Sequence, residues 1–178
     1  MLKRSKTERT NRSSGPDDVD RVLVVDDHPE AARLLGRILR RAGFEVAELT
    51  DPQVVIDALL DEPRPVGAVV ASFTASGTRA CLRLLDNIRN HDDPRISDLR
   101  VLLVSDQPRQ QIFCFQAGAD AILMRPYRAA ALSAELRTLM DRPDRDRAAF
   151  RSAQIEALTA SISHPLDPRG TPAAVAGN

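Results

Sequence analysis

The sequence predicts a doubly wound α/β domain with a parallel sheet over about residues 21–141. Five short apolar or β-branched runs alternate strictly with stretches of helical period, so right-handed crossovers must place helices on both faces of the sheet. Four of the runs are nearly continuous hydrophobes, as expected for parallel strands covered on both faces. The predicted strands are residues 22–25 (VLVV), 44–49 (FEVAEL), 68–72 (AVVAS), 101–105 (VLLVS) and 121–124 (AILM).

Five helices are predicted in the gaps, and several carry start or stop signals. Pro29 opens the first helix and Gly43 ends it, Asp51 and Pro52 begin the second, and the fourth runs from Pro108 to Gly118. The apolar stripes predict these core-facing positions: Ala31, Leu34, Leu35, Ile38 and Ala42; Val54, Val55, Ala58 and Leu59; Cys81, Leu84, Leu85 and Ile88; Ile112 and Phe115; Leu132, Leu136, Leu139 and Met140.

Three further segments flank this domain. Residues 1–20 and 164–178 have little to bury and are predicted to be disordered tails. Pro143 should stop the fifth helix, and residues 144–163 then predict an extra C-terminal helix with an incomplete apolar stripe. We expect that helix to pack on the domain, or else to pair with a second copy or dock on a partner. It is too short for a helix-turn-helix module, so DNA binding is not expected.

Composition excludes several classes of partner. Lys and Arg together number 25, as do Asp and Glu, so no global field favours nucleic acid or acidic lipid. No apolar run approaches the roughly 20 residues that a membrane span needs. Cys81 and Cys114 lie in apolar helical patterns without metal-ligand spacing, which suits reduced thiols. The sequence therefore predicts a soluble, cytoplasmic protein.

Polar residues cluster at the predicted strand ends. In doubly wound sheets the ligand site lies beyond the carboxyl ends of the strands. The first strand ends at Asp26 and Asp27, the third at Ser72, the fourth at Ser105 and the fifth at Arg125. These five residues are the candidate site.

Three segments together resemble the receiver domain of bacterial two-component response regulators: VLVVDDHPEAARLLGRIL, VLLVSD and AGADAILMRPYRAAAL. The resemblance covers residues 21–141. It implies a flavodoxin-like fold of the chemotaxis-receiver type, with five parallel strands in the order 2-1-3-4-5, to which the C-terminal helix is an addition. It also implies a role in phosphorelay signal transduction.

The resemblance assigns a role to each strand-end position. Asp26 and Asp27 match the acidic pair that helps bind Mg²⁺, and Ser105 matches the hydroxyl that hydrogen-bonds the phosphoryl group. Arg125 stands where the family has Lys. Ser72 stands at the phosphoacceptor Asp, and a register slip of one residue would place Ala71 there instead.

Other family features also differ in this chain. Ile122 occupies the aromatic switch position, while Pro126 keeps the proline after the fifth strand and is the candidate for a cis peptide bond. The loop before Gly77 is shorter than usual and lacks its Met-Pro.

Serine at the acceptor position changes the expected chemistry. Phosphoryl transfer from phosphohistidine needs an ionised carboxylate beside a divalent cation, whereas a serine hydroxyl is neutral at pH 7. Losing a carboxylate also removes a hard ligand, so no cofactor is required and Asp26 with Asp27 should bind Mg²⁺ weakly at most. Arg125 should pair with one of them in bidentate fashion, giving a fixed ion pair instead of a switchable site.

Simpler interpretations stay open for several of these residues. Asp26 and Asp27 would also suit the positive end of the helix that Pro29 begins. Ser105 would also suit a cap for the helix that starts near Pro108. The three histidines sit in polar surroundings without paired ligand spacing and are expected at the surface: His28, His91 and His164.

The favoured function is a non-enzymatic pseudo-receiver that signals through protein contacts, independently of phosphorylation. Its partner would be a histidine kinase, another regulator or an enzyme, bound through the fourth and fifth helices. A homodimer through those helices or the C-terminal helix is an alternative. Two other functions stay open: a regulator phosphorylated at a non-standard acceptor, and a flavodoxin-type small-molecule binder, although two carboxylates disfavour a phosphate-binding loop.

Overall fold

A five-stranded parallel sheet forms the centre of the computed structural model, which describes residues 20–72 and 78–163. The strand order is β2-β1-β3-β4-β5, so the predicted fold class and topology are confirmed. The predicted tails lie outside the described residues, except for Asp20. The strands are β1 Arg21–Asp26, β2 Glu45–Leu49, β3 Ala68–Ser72, β4 Arg100–Ser105 and β5 Ala121–Met124.

Within the described residues seven helices surround the sheet, and 3-10 turns at Pro52–Val54 and Pro108–Gln110 precede two of them. The extra C-terminal helix is present, and the short α4 was not predicted, although Asp93 caps it by accepting from the Arg95 N–H. The helices are α1 Pro29–Arg41, α2 Val55–Asp61, α3 Thr78–Arg89, α4 Pro94–Ser97, α5 Gln111–Gln116, α6 Ala129–Asp141 and α7 Asp144–Ser163.

Two apolar layers bury the sheet, one on each face. Alternate strand residues pack with α2, α3 and α5 on one side and with α1 and α6 on the other. The stripe predicted for α1 is confirmed in part: Leu35 is buried, and Ile38 and Ala42 pack against the core. Leu34 is 50% exposed, whereas Ala32 and Leu39, which were not predicted, are buried. Val54 was also predicted to face the core and is 42% exposed, because it belongs to the 3-10 turn before α2.

Glycine ends two of these helices as predicted. Gly43 follows α1 with φ +96°, and Gly118 follows α5 with φ +101°, in the left-handed region that suits glycine after a helix. The Gly118 carbonyl accepts hydrogen bonds from the Arg89 guanidinium.

Helix α7 packs against α5 and is held by a buried carboxylate, that of Asp120. Arg147 donates to Asp120 through Nε at 3.0 Å and through Nη2 at 2.8 Å. Arg151 and Arg89 donate to the same carboxylate at 2.7 and 2.8 Å, and the Val101 N–H donates at 3.0 Å. Packing of α7 on the domain, the first of the expected arrangements, is therefore confirmed.

The pKa of Asp120 lies below its ordinary value. Burial alone would raise it, but hydrogen bonds from Arg147, the charges of Arg89 and Arg147, and the Val101 N–H outweigh that effect. A lower pKa in the folded state means that the ionised carboxylate stabilises the fold.

We expect this stabilisation to be complete at neutral pH and to disappear under acid. It should begin to fall as the pH approaches 3.8, the ordinary pKa of the group, and be lost as the pH passes below the folded-state pKa. Urea unfolding of the wild type and of Asp120→Asn across this range should show a stability difference that shrinks with acidity. A difference independent of pH would contradict the assignment.

No helix within the described ranges is long and apolar enough to cross a bilayer.

Candidate functional site

The site lies at the carboxyl edge of the sheet, where three strand ends bring together Asp26, Ser72 and Arg125. Asp26 and Ser72 are register partners at the ends of β1 and β3. Both are buried, with exposures of 1% and 0%. Arg125 directly follows β5, and its Nη2 donates to Ser72 Oγ at 2.5 Å. Ser72 is the last residue of β3, and Ala71 pairs with Val25 one position earlier.

One oxygen of Asp26 is satisfied and the other is not. Oδ1 accepts from the His28 N–H at 2.8 Å, which fixes the start of α1. Oδ2 is buried without a hydrogen-bond partner, and the nearest cation is Arg125 Nη2 at 3.8 Å. One oxygen of Asp26 thus bonds the residue that precedes α1 without capping a helical N–H, and the second is directed to Arg125.

The guanidinium of Arg125 does not form the bidentate pair that the sequence predicted. It is hydrogen-bonded to the hydroxyl of Ser72 and approaches a single oxygen of Asp26 beyond hydrogen-bond distance. The reason is geometric: Ser72 lies between the two groups at the strand end and takes the donor first. The result is a buried carboxylate, a neutral hydroxyl and a cation in one contiguous contact.

Ser105 lies at the end of β4 but its side chain is used locally. Its Oγ accepts from the Gln107 N–H at 3.0 Å, a local turn contact. The capping role given as the simpler interpretation was wrong, because Gln107 is the N-cap residue of the following 3-10 turn and no side chain caps that turn. Its carbonyl accepts from the Arg125 N–H at 2.8 Å, which ties the two strand ends together through backbone atoms.

β5 and the residues that follow it provide three further features. The Arg125–Pro126 peptide bond is cis, at the proline where the sequence predicted it. Ile122 is half-buried and packs against the core layer on the α3 and α5 side. Tyr127, which the sequence reasoning missed, packs against the opposite layer; burial raises its pKa, and the charge and hydrogen bond of Arg125 oppose that rise.

Asp27 and His28 extend the site into solvent. Asp27 Oδ1 lies 3.0 Å from His28 Nδ1, and both residues are exposed. Ligand atoms of Asp26, Asp27 and His28 lie within 4.8 Å of one another. The exposure of His28 agrees with its prediction as a surface residue, whereas His91 is half-buried and accepts from the Asp93 N–H, and His164 lies outside the described residues.

Comparison with known proteins decides the family. Residues 22–137 match the description "Response regulator receiver domain". The chain belongs to this family. Its acidic pair, its cis-proline and the strand order are thereby parts of a receiver, and the family membership favours the receiver interpretation over a flavodoxin-type binder.

Curated relatives and solved structures agree with this receiver assignment. The chain is 33% identical over 123 residues to the sensory/regulatory protein RpfC of Xanthomonas campestris, covering 68% of this chain and 16% of that protein. It is 28% identical to the chemotaxis protein CheY-3 of Vibrio cholerae, covering 68% of this chain and 92% of that one. A putative response regulator from Chloroflexus aurantiacus has the same fold, with a TM-score of 0.60 at 21% identity, over 70% of this chain and 100% of its own.

The receiver family implies Mg²⁺ at this edge, and the residues present fit a tight Mg²⁺ site poorly. Mg²⁺ prefers oxygen ligands in near-ideal octahedral geometry. Asp26 and Asp27 supply carboxylates, but the third strand end supplies a neutral hydroxyl already bonded to Arg125. The guanidinium also places a positive charge 3.8 Å from the only unpartnered oxygen of Asp26.

Proposed function

We propose that this receiver signals through protein contacts without being phosphorylated at Ser72. The observation that carries the proposal is the buried contact of Ser72 Oγ with Arg125, in register with Asp26. A serine hydroxyl needs a general base to become a nucleophile. Here the neighbour of the hydroxyl is a permanently charged donor, which orients the oxygen as an acceptor and cannot remove its proton.

The charge balance of the site supports the same conclusion. In phosphoryl transfer a divalent cation neutralises the charge of the phosphoryl group. In this chain Arg125 already provides a cation beside Asp26, so the site has an internal counter-charge. Such a site would hold one arrangement, and regulation would come from partner binding or abundance, with no enzymatic activity of its own.

We expect Mg²⁺ to bind weakly at Asp26 and Asp27. NMR signals of residues next to this pair should shift in proportion to Mg²⁺ concentration without saturating, because Arg125 repels the cation and a third carboxylate is missing. Arg125→Ala should tighten binding by removing the repulsion. Tight, saturable binding by the wild type, with a large change at Asp26, would contradict the proposed fixed pair.

The function itself is tested by recovering the full chain from its native cells with its bound protein. We expect an unmodified chain in complex with a histidine kinase, another regulator or an enzyme. Intact mass of the recovered chain measures its modification, and cross-linking identifies what it contacts. If the recovered chain carried an acid-labile phosphoryl group, and if only the phosphorylated molecules were bound to the partner, the protein would instead be a regulator with a non-standard acceptor.

A further inference from the structure

A cationic groove runs between α3 and α5, on the opposite face of the sheet from α1 and α6. Its volume is about 660 Å³. Residues of α3 line it at the spacing of one helix face, beginning with Arg79, Leu82, Arg83 and Asp86. Phe113 and its α5 neighbours form the other wall. The groove is separate from the carboxyl-edge site described above.

Two guanidinium groups in this groove are available to bind a ligand. Arg79 and Arg83 are exposed, and neither has an ionic or hydrogen-bonded partner within residues 20–72 and 78–163. Arg89, further along the same face, differs because its guanidinium is used by Asp120 and by backbone carbonyls. The one carboxylate lining the groove, Asp86, accepts from Asn90. The groove therefore presents a net positive charge.

The same groove has an apolar anchor. Phe113 is 61% exposed although its helix is covered along another flank by α7. Leu82 and Ala117 are half-buried beside it and continue the apolar surface. The sequence predicted partner binding through its fourth and fifth helices, which are α5 and α6 in the structure. Because α7 packs on α5, it covers part of that predicted binding surface. The α3 side of α5 is the part that stays open.

We infer that this groove binds an acidic segment of a partner protein. An apolar side chain of that segment would lie over Phe113 and Leu82, and its carboxylates would pair with Arg79 and Arg83. The inference rests on the proposed function, since it names the surface through which the unphosphorylated chain acts. Nucleic acid fits less well, because two free guanidiniums with a carboxylate nearby offer few phosphate contacts and the chain has no net charge.

The test uses the full chain and a fluorescein-labelled peptide with a central Leu-Phe pair flanked by Glu and Asp. Fluorescence anisotropy should show saturable binding that weakens with salt, and the same peptide with Gln and Asn in place of the acids should bind at least about tenfold more weakly. The affinity for a labelled single-stranded oligonucleotide, measured in the same way, tests nucleic acid as the alternative ligand. If the oligonucleotide bound more tightly than the acidic peptide, the acidic-segment assignment would be overturned.

Matched variants locate the binding. Arg79→Glu with Arg83→Glu should weaken the acidic peptide by about tenfold or more, and Phe113→Ala should weaken it independently of salt. Arg33→Glu with Arg37→Glu makes the same charge change at the same spacing on α1, across the sheet, and should change affinity less than about twofold. Equal losses in both double variants, or no peptide binding by the wild type, would refute the groove. Neither result bears on whether Ser72 is phosphorylated, so this failure is distinguishable from failure of the proposed function.

Discussion

Asp120→Asn should destabilise the protein by about 3–5 kcal/mol, the cost of removing one partner from a buried charge network. The Asp120 carboxylate is 1% exposed and accepts from three guanidiniums. Neutralising it leaves Arg147, which is 8% exposed, without its counter-charge beneath α7. Urea unfolding should show the loss, and hydrogen exchange should show α7 opening before the sheet.

The control for this change is Asp144→Asn. Asp144 pairs with Arg100 at 2.9 Å, but its side chain is 75% exposed, so its loss should cost less than about 1 kcal/mol. Each variant removes one negative charge that pairs with Arg147, in the first turns of α7. Equal small effects in both would show that Asp120 does not hold the helix.

Ser72→Asp combined with Arg125→Lys should turn an unreactive site into one that accepts a phosphoryl group. The new carboxylate would lie in register with Asp26, supplying a nucleophile and a third oxygen ligand. With lysine at position 125, a single flexible ammonium would replace the guanidinium that now donates to Ser72. With acetyl phosphate and Mg²⁺, intact mass should change from no detectable adduct to an adduct on most molecules.

The isosteric variant Ser72→Asn with Arg125→Lys separates charge from shape. It should stay unlabelled, and Mg²⁺ should raise its thermal midpoint less than that of the aspartate variant, in which three carboxylates repel one another without metal. If the aspartate variant bound Mg²⁺ but took no phosphoryl group, the residue at position 72 would not be what prevents transfer.

Local pattern is enough to predict the sheet. Four of the five strands are continuous apolar runs, as parallel strands buried on both faces should be, and only the half-buried β2 is not. Each strand bound falls within one residue of its prediction. The core-facing residues of α1 are harder to predict, because its apolar residues lie on several sides of the helix. Leu34 and Leu35 are adjacent and equally apolar, and only packing against β1 and β2 decides that Leu35 is buried.

The site and the α7 anchor depend on contacts between distant residues. The sequence placed Ser72 and Arg125 at the carboxyl ends of β3 and β5, which β4 separates, but it favoured the carboxylate over the hydroxyl as the arginine's partner. Asp120 gave no signal, since an acidic residue in a loop before a strand is usually solvated. Its role needs Arg89 and Arg147, which lie 31 and 27 residues away.

Intact mass of the wild-type chain after incubation with acetyl phosphate and Mg²⁺ is the most direct test of an inert hydroxyl at position 72. Under conditions that label the Ser72→Asp, Arg125→Lys variant, we expect a single species at the unmodified mass. An acid-stable adduct on the wild type, absent from Ser72→Ala, would show that the hydroxyl reacts. An acid-labile adduct, lost when Asp26 or Asp27 is replaced by Asn, would show that this receiver is phosphorylated on a carboxylate instead.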